Sequence, residues 1–230
     1  MKYKNLFFDL DDTIWAFSRN ARDTFEEVYR KYSFERYFDS FDHYYTIYQQ
    51  RNTELWIEYG EGKITKDELN RQRFSYPLQA VGVEDETLAE KFSEDFFAII
   101  PTKSGLMPYA KEVLEYLAPK YNLYILSNGF RELQSRKMRS AGVDIYFKKV
   151  ILSEDLGVLK PWPEIFNFAL SATQSELRES LMIGDSWEAD ITGAHGVGMH
   201  QVFYNVTERT AFPFLPTYHI HSLKELMDLL

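Results

Sequence analysis

Short apolar runs alternate with helical patterns along most of this chain. The runs that predict buried strands lie at residues 6–8, 123–126 and 181–183, with a fourth candidate at 200–204. Helical patterns at residues 109–118, 131–141 and 163–172 lie between them. Strands that alternate with helices favour a parallel sheet with right-handed crossovers, so the pattern predicts an α/β fold.

Polar residues follow each of the three strong runs. Asp9 and Asp11 come after the first run, Ser127 and Asn128 after the second, and Asp185 after the third. Residues two apart in an extended chain point the same way, so Asp9 and Asp11 should project together. Two carboxylates this close repel each other unless one is protonated or a cation lies between them. Because open parallel sheets bind ligands beyond the carboxyl ends of their strands, we expect a ligand site at this edge.

A long helical insertion separates the first strand from the rest of the predicted sheet. Residues 18–100 lack strand-like runs, and their aromatic side chains recur at spacings of three and four, as on one helix face. We therefore predict two domains. The core consists of residues 1–16 and 105–230, and the helical domain consists of residues 17–104.

Net charge and composition exclude several classes of function. With 35 acidic against 26 basic residues, the net charge of −9 argues against a general nucleic-acid binder. The absence of cysteine excludes disulfides, zinc thiolates and cysteine nucleophiles. The amino-terminal segment lacks a signal-peptide apolar region, and no apolar run approaches the length of a membrane span. We therefore expect a cytoplasmic protein without a membrane or nucleic-acid partner.

Three aspartates at the strand ends predict a metal site. Asp9, Asp11 and Asp185 would share one cleft, and three carboxylates in one cleft call for a divalent cation. Mg²⁺ suits hard oxygen ligands and a site that is shared with a phosphate. The predicted cofactor is therefore Mg²⁺.

Four further polar side chains could grip a phosphoryl group. Lys160 precedes Pro161 and a helical pattern, where a lysine is either a solvated surface residue or the compensating cation of an anionic site. Thr13 and Ser127 offer hydroxyls, and Asn128 offers an amide. Such donors stabilise phosphoryl oxygens, so the candidate substrate-binding residues are Thr13, Ser127, Asn128 and Lys160.

These residues form four motifs that resemble those of the haloacid dehalogenase superfamily. The motifs are Asp-x-Asp-x-Thr at 9–13, Ser127 after a buried strand, Lys160 before Pro161, and Gly-Asp-Ser-x-x-x-Asp at 184–190. They occur in the order and at the separations that the family shows. The resemblance implies a Rossmann-like three-layer core with a parallel sheet, and an α-helical cap inserted after the first strand.

The resemblance also implies a role for each matching position. Asp9 would be the nucleophile that forms an aspartyl-phosphate intermediate. Asp11 would protonate the leaving alkoxide and then activate water as a general base. Asp9, the backbone carbonyl of Asp11, and Asp185 would hold Mg²⁺. Ser127 and Lys160 would bind the phosphoryl oxygens.

Two more acidic residues lie in these motifs. Asp190 has two interpretations, since it could support Lys160 or the metal shell, or could be an acid favoured by a helix amino terminus. Asp12 matches no role in the family pattern. We expect Asp12 to be solvated.

The second aspartate of the first motif separates subclasses of the family. Dehalogenases lack it because a halide leaving group needs no protonation, so Asp11 favours phosphoester hydrolysis. Phosphonoacetaldehyde hydrolases of this superfamily use a cap lysine that forms a Schiff base. The sequence does not exclude Lys63 or Lys66 from that role. The alternatives are a sugar-phosphate or phosphoglycolate-type phosphatase, a phosphosugar mutase, a haloacid dehalogenase, and a binding protein with a degenerate site.

A closer resemblance, to the YjjG-type pyrimidine 5′-nucleotidases, extends over nearly the whole chain. It is carried by residues 55–60, 62–65, 73–74, 127–134, 216–218 and 222–226. The family more typically has threonine where Ser127 stands, and either hydroxyl can serve. The resemblance implies that the substrates are uridine and thymidine monophosphates and modified pyrimidine nucleotides. The expected partner is therefore a small phosphorylated metabolite, bound by a monomer or a small homo-oligomer.

Aromatic residues are dense in the helical insertion between Phe25 and Tyr59. Their helical spacing predicts that most of them form a core. Trp56 and Tyr59 lie near the turn between Gly60 and Gly62, so these two are candidates for contact with a nucleotide base.

Overall fold

A six-stranded parallel sheet places the first strand near its centre. The computed structural model of this protein describes residues 2–230. The strands are β1 Asn5–Phe8, β2 Asn122–Ser127, β3 Lys149–Leu152, β4 Ser180–Gly184, β5 His200–Tyr204 and β6 Tyr218–Ile220. Their order is β3-β2-β1-β4-β5-β6, and every neighbouring pair is parallel. This is the order of a doubly wound Rossmann-like sheet, so the predicted fold class is confirmed.

Helices connect the successive strands except β5 and β6, which a loop joins. They are α1 Phe17–Lys31, α2 Phe41–Gly60, α3 Lys66–Ala80, α4 Glu86–Ile99, α5 Ala110–Leu117, α6 Arg131–Ser140, α7 Pro163–Thr173, α8 Thr192–Gly196 and α9 Leu226–Leu229. The three helices predicted after the insertion are confirmed as α5, α6 and α7. Within residues 2–230, no helix has both the length and the apolar character that a membrane crossing needs.

The two strands that the sequence pattern missed lie at opposite edges of the sheet. β3 begins with the exposed Lys149, and β6 has only three residues, with the exposed His219 at its middle. β6 is too short to give a clear apolar run, as is common at a sheet edge. β3 does contain such a run, Val150-Ile151-Leu152, so its signal was present in the sequence but was not assigned.

Burial on both faces explains why the central strands read as continuous apolar runs. All four residues of β1 and all five of β4 are buried. On one face, Phe7 and Met182 lie in a cluster with Ile165 and Phe166 of α7. A parallel strand covered by helices on both sides has no solvent-facing positions to alternate with, which produces the apolar run from Leu6 to Phe8.

The chain forms two compact units, one from the residues up to Ser18 with Ser104–Leu230, and one from Arg19–Lys103. The second unit is helical, as predicted for the insertion after β1. Its core is aromatic, with the ring of Phe25 at 4.2 Å from the rings of both Tyr48 and Phe96. The role of residues 17–104 as a cap domain, with those boundaries, remains a prediction.

Local signals in the helical unit have the predicted structure. Thr65 and Glu68 form the capping box that begins α3, with each side chain bonded to the backbone of the other residue. Trp56 and Tyr59 are partly exposed and meet edge to face, with ring centroids 5.8 Å apart. They are therefore outside the buried aromatic core, and their contact with a base remains a prediction.

Candidate active site

The register of the central strands brings the first and fourth motifs together. Phe8 pairs with Ile183 of β4, and the backbone N–H of Asp9 donates to the Ile183 carbonyl at 2.9 Å. Asp9 and Asp185 therefore leave neighbouring strands at the same edge. In the strand order, this is the point where the chain switches from one side of the sheet to the other, which is where doubly wound sheets bind ligands.

Lys160 is a buried cation at the centre of the site, with 4% of its surface exposed. Its ammonium donates to Asp9 Oδ1 at 2.6 Å, Asp190 Oδ1 at 2.6 Å and the Leu126 carbonyl at 2.7 Å. Burial alone would lower the pKa of Lys160, but the charges of Asp190 and Asp9 outweigh it and raise that pKa. All three N–H donors of the ammonium are used by the protein, so Lys160 fixes the orientation of the Asp9 carboxylate.

Asp190 completes this buried network. It is fully buried, with Oδ1 bonded to Lys160 and Oδ2 accepting from the Ser186 backbone N–H at 3.1 Å. It lies in a π-helical turn, Trp187–Ile191, that directs the side chain back over β4. A Cβ on Gly184 would lie 2.1 Å from Asp190 Oδ2, so a glycine is required there. Asp190 thus contacts Lys160 directly, and its supporting role remains a proposal.

Three carboxylates meet at this edge of the sheet. One oxygen each of Asp9, Asp185 and Asp190 lies within 4.8 Å of the others. Burial raises the pKa of Asp9 to about 7, with Lys160 opposing the rise and Asp190 adding to it. Burial also raises the pKa of Asp185 to about 8, and the charges of Asp9 and Asp190 add to that rise. A site that resists the charged form of two carboxylates is suited to a bound cation, which would favour that form.

The donor set fits a divalent cation that prefers oxygen. Both oxygens of Asp190 already accept N–H bonds from Lys160 and Ser186, whereas the Asp185 carboxylate has one oxygen bonded, to Thr13. Asp9 likewise has Oδ2 left beside its bond to Lys160. Asp9 and Asp185 therefore keep carboxylate oxygens that could contact such a cation, whereas both oxygens of Asp190 are already bonded to the protein.

Thr13 and Asn128 both have hydrogen-bond partners within the protein, and their predicted contacts with substrate remain a prediction. The Thr13 hydroxyl donates to Asp185 Oδ1 at 2.9 Å and accepts from the Asp185 N–H at 3.1 Å. The Asn128 side chain accepts from the Lys160 N–H at 2.8 Å and donates to the Lys160 carbonyl at 3.1 Å. These contacts favour positioning roles, in which Thr13 holds the metal-site carboxylate and Asn128 holds the backbone of the central lysine.

Ser127 keeps a donor for a ligand. Its Oγ accepts from the Gly129 N–H at 3.1 Å and from Gln134 Nε2 at 2.8 Å. A hydroxyl has two acceptor positions and one hydrogen, so these two bonds leave the Ser127 hydrogen to donate. This geometry is compatible with the predicted contact to a phosphoryl oxygen.

Asp11 is held by two residues that the sequence reasoning did not assign. Lys137 Nζ lies 2.9 Å from Asp11 Oδ1 and 3.1 Å from Oδ2, and Gln134 Nε2 donates to Oδ2 at 2.9 Å. A signal for them exists in the sequence. Gln134 and Lys137 lie on the same face of α6 as the buried Phe130 and Met138, at spacings of three and four, where apolar residues would be expected.

Asp12 differs from the expectation of a solvated side chain. It is partly buried, its backbone has φ of 58°, and its carboxylate accepts from the Ser18 N–H at 2.8 Å and from the Ser18 hydroxyl at 2.5 Å. Ser18 is in the first turn of α1, where backbone N–H groups lack helical partners and favour a carboxylate. The turn after Asp11 therefore uses Asp12 to begin the helix.

Comparison with known proteins identifies the family. A model of the haloacid dehalogenase-like hydrolases matches residues 3–198. The HAD-hydrolase YfnB of Bacillus subtilis is 32% identical over 100% of this chain and 96% of its own length. Two proteins named pyrimidine 5′-nucleotidases, YjjG of Escherichia coli and PynA of Streptococcus pneumoniae, are each 31% identical over 100% of this chain and 99% and 96% of their own lengths.

The fold agrees with these sequence relationships. The crystal structure of Bacillus subtilis YfnB bound to magnesium superposes with a TM-score of 0.89 at 29% identity, covering 100% of this chain and 99% of that chain. The family match covers most of the chain, and the full-length relatives exceed 30% identity. This protein is therefore an enzyme that belongs to the haloacid dehalogenase-like hydrolase family.

Proposed function

We propose that this protein is a Mg²⁺-dependent phosphatase whose substrates are pyrimidine nucleoside 5′-monophosphates. The observation that carries the proposal is the pair Asp9 and Asp11, one carboxylate fixed by the buried Lys160 and the other held separately by Lys137. A phosphomonoester needs both a nucleophile and a group that protonates the leaving alkoxide. The names of the relatives YjjG and PynA support the pyrimidine nucleotide as substrate.

The chemistry proceeds in two steps on Asp9. In the first step, a carboxylate oxygen of Asp9 attacks phosphorus, the bond from phosphorus to the ester oxygen breaks, and Asp11 gives its proton to the departing alkoxide. In the second step, Asp11 takes a proton from water, and the water oxygen attacks phosphorus. The acyl phosphate bond then breaks, which returns the Asp9 carboxylate and releases inorganic phosphate.

Each surrounding residue has a task in this scheme. Lys160 keeps Asp9 in one orientation, and Ser127 donates its hydroxyl hydrogen to a phosphoryl oxygen. Asp9, Asp185 and the backbone carbonyl of Asp11 would hold Mg²⁺. When bound, the ion neutralises charge on the carboxylates and on the phosphoryl oxygens.

Without Mg²⁺, the stability of the protein should depend on the charge of the Asp9 and Asp185 carboxylates. The folded pKa values of Asp9 and Asp185, about 7 and about 8, lie above the unfolded value of about 3.9. The folded state therefore binds more protons than the unfolded state between about pH 4 and pH 8, so these two groups lower stability as the pH rises through that window. In a chelator, we expect their contribution to the free energy of unfolding to fall over this range.

The measurable quantity is the increase in melting temperature that Mg²⁺ produces over chelator, determined between about pH 5 and pH 8.5. Burial lowers the pKa values of His200 and His219, and these groups act in the opposite direction with or without the ion, so the difference isolates the carboxylates. We expect the increase to grow with pH, because the ion replaces protons. An increase that is equal at both ends of the range, or as large in Asp185→Asn, would contradict the assigned metal site.

Phosphate release from a panel of substrates tests the proposed function. The panel contains uridine and thymidine 5′-monophosphates, adenosine 5′-monophosphate, glyceraldehyde 3-phosphate and phosphoglycolate, each with Mg²⁺ and with chelator. We expect release that requires Mg²⁺ and is fastest with the pyrimidine nucleotides. Release confined to the sugar phosphate or phosphoglycolate would refute the nucleotide substrate, and no release from any member would refute the phosphatase.

Asp11→Asn should lower kcat/KM for uridine 5′-monophosphate by about 10²–10⁴-fold. The amide has nearly the same size but cannot deliver a proton to the alkoxide. For p-nitrophenyl phosphate, whose leaving group departs without a proton, the loss should be much smaller. Steady-state kinetics on both substrates check this, and an unchanged value for the nucleotide would deny Asp11 the acid role.

A further inference from the structure

We propose that Lys137, together with Gln134, is a positioning residue for the acid and base step that Asp11 performs. This inference rests on the proposed phosphatase function and extends it to two residues outside the four catalytic motifs. Its basis is the contact set on the Asp11 side chain, which joins the active-site edge of β1 to helix α6.

The hydrogen bonds leave one acceptor position open on Asp11. Lys137 Nζ contacts both oxygens, at 2.9 and 3.1 Å, and Gln134 Nε2 contacts Oδ2 at 2.9 Å. A carboxylate has about four lone-pair positions, two on each oxygen, and these contacts use both on Oδ2 and one on Oδ1. The remaining position on Oδ1 is where the catalytic proton can be carried, so the three contacts also select which oxygen reacts.

The environment of Lys137 keeps its ammonium in place. The residue is 3% exposed, and Nζ lies 4.8 Å from the centre of the Trp15 ring and 5.0 Å from that of Phe17. Trp15, Phe17 and Asp11 together form a cage around the ammonium. Aromatic faces attract a cation but offer no strong acceptor, so the Asp11 carboxylate is the strong partner in this cage. A buried lysine confined in this way limits the rotation of the carboxylate that it contacts.

Gln134 connects this cage to the phosphoryl-binding hydroxyl. The same amide nitrogen donates to Asp11 Oδ2 and to Ser127 Oγ, while its buried Oε1 has no partner among residues 2–230. A Cβ on residue 129 would lie 2.0 Å from Gln134 Nε2, so Gly129 makes room for this amide. An unpaired buried carbonyl is unfavourable, and a geometric link between Asp11 and Ser127 is a physical reason to retain it.

Positioning and simple structural support predict different kinetics. Transfer of the phosphoryl group to Asp9 needs a correctly placed proton only when the leaving group is a strongly basic alkoxide. Loss of Lys137 should therefore slow a nucleotide far more than p-nitrophenyl phosphate. General damage to the fold would slow both substrates equally, because both use Asp9, Lys160 and the metal site.

The experiment measures kcat/KM for uridine 5′-monophosphate and p-nitrophenyl phosphate in the same preparation, since the ratio does not depend on the fraction of active enzyme. In Lys137→Met, we expect a loss of about 10²-fold for the nucleotide and of less than about fivefold for the aryl ester. Lys137→Arg should restore the nucleotide rate to within about tenfold of wild type, because it keeps the charge and the donors. Arg139→Met, an exposed basic residue on the same helix, is the matched control and should leave both values unchanged.

An equal loss for both substrates in Lys137→Met, or no rescue by arginine, would overturn the proposal. If the methionine variant does not fold, Gln134→Leu decides: a selective loss of nucleotide turnover supports the positioning role, and a wild-type ratio refutes it. Failure of the underlying function is separately visible. Wild-type protein that hydrolyses neither ester would refute the phosphatase, and the proposal for Lys137 with it.

Discussion

Asp9→Asn is expected to lower kcat by at least about 10⁴-fold while the protein remains folded. The amide keeps the size of the side chain and an oxygen that can accept from Lys160, but it is not a nucleophile toward phosphorus. The substitution therefore removes the covalent step rather than the site. Steady-state phosphate release with uridine 5′-monophosphate measures the loss, and the exposed Asp144→Asn is the matched control.

The same variant should be more stable than wild type when Mg²⁺ is absent. Asp9 lies among Asp185 and Asp190. Burial raises its pKa, the charges of Asp190 and Asp11 add to the rise and Lys160 opposes it, so a neutral side chain removes an unfavourable charge. Thermal unfolding in chelator measures this as the melting temperature of Asp9→Asn minus that of wild type. We expect this difference to be larger at about pH 8 than at about pH 5.

The covalent mechanism makes one further demand on Asp9. Acid-quenched wild-type enzyme should carry phosphate from a labelled substrate on the peptide that contains Asp9, and Asp9→Asn should carry none. Substantial turnover by the variant, or label on a different residue, would contradict the assignment of the nucleophile.

Lys160→Met is expected to abolish turnover and to lower the free energy of unfolding by about 3–5 kcal/mol. Its ammonium is the shared partner of Asp9, Asp190 and the Leu126 carbonyl. A neutral side chain leaves two buried carboxylates without their cation, and that loss is far more destabilising than the loss of a surface ion pair. Urea unfolding measures the change.

The comparison variant for Lys160 is Lys111→Met, since Lys111 is exposed on α5. A stability loss at Lys160 that is no larger than the loss at Lys111 would show that the buried network is not a stabilising feature. Lys160 itself should stay charged from about pH 5 to pH 9, so its own titration should not change its contribution over that range. Its folded pKa is raised above the unfolded value of about 10.4, so its stabilising effect is complete below that pH and is lost only as the pH rises through the folded value.

Central strands and most helices were predictable from local patterns, because their signal is the burial of consecutive or periodic apolar residues. β6 was not, since a three-residue edge strand with a polar residue at its middle carries little of that signal. β3 was not predicted either, although Val150-Ile151-Leu152 is an apolar run.

The residues of the site likewise divide into those that the sequence motifs indicate and those that they do not. Lys160 could be expected near Asp9 from the motifs. Lys137 belongs to none of them, and Gln134 lies in the segment 127–134 without an assigned role, so the importance of both depends on the face of α6 that packs toward Asp11.

Residue identity and spacing alone specify a parallel α/β sheet with a helical insertion, and they place reactive groups at the carboxyl ends of its strands. The partner of each group depends instead on contacts between residues far apart in the chain, which local patterns do not encode. Folding turns Thr13 toward Asp185 and Asn128 toward the Lys160 backbone. It also gives the three acids that follow β1 different partners. Asp9 is held by Lys160, Asp11 is held by Lys137, and Asp12 begins a helix. Buried polar groups must find partners, and only the packed chain determines which partners are within reach.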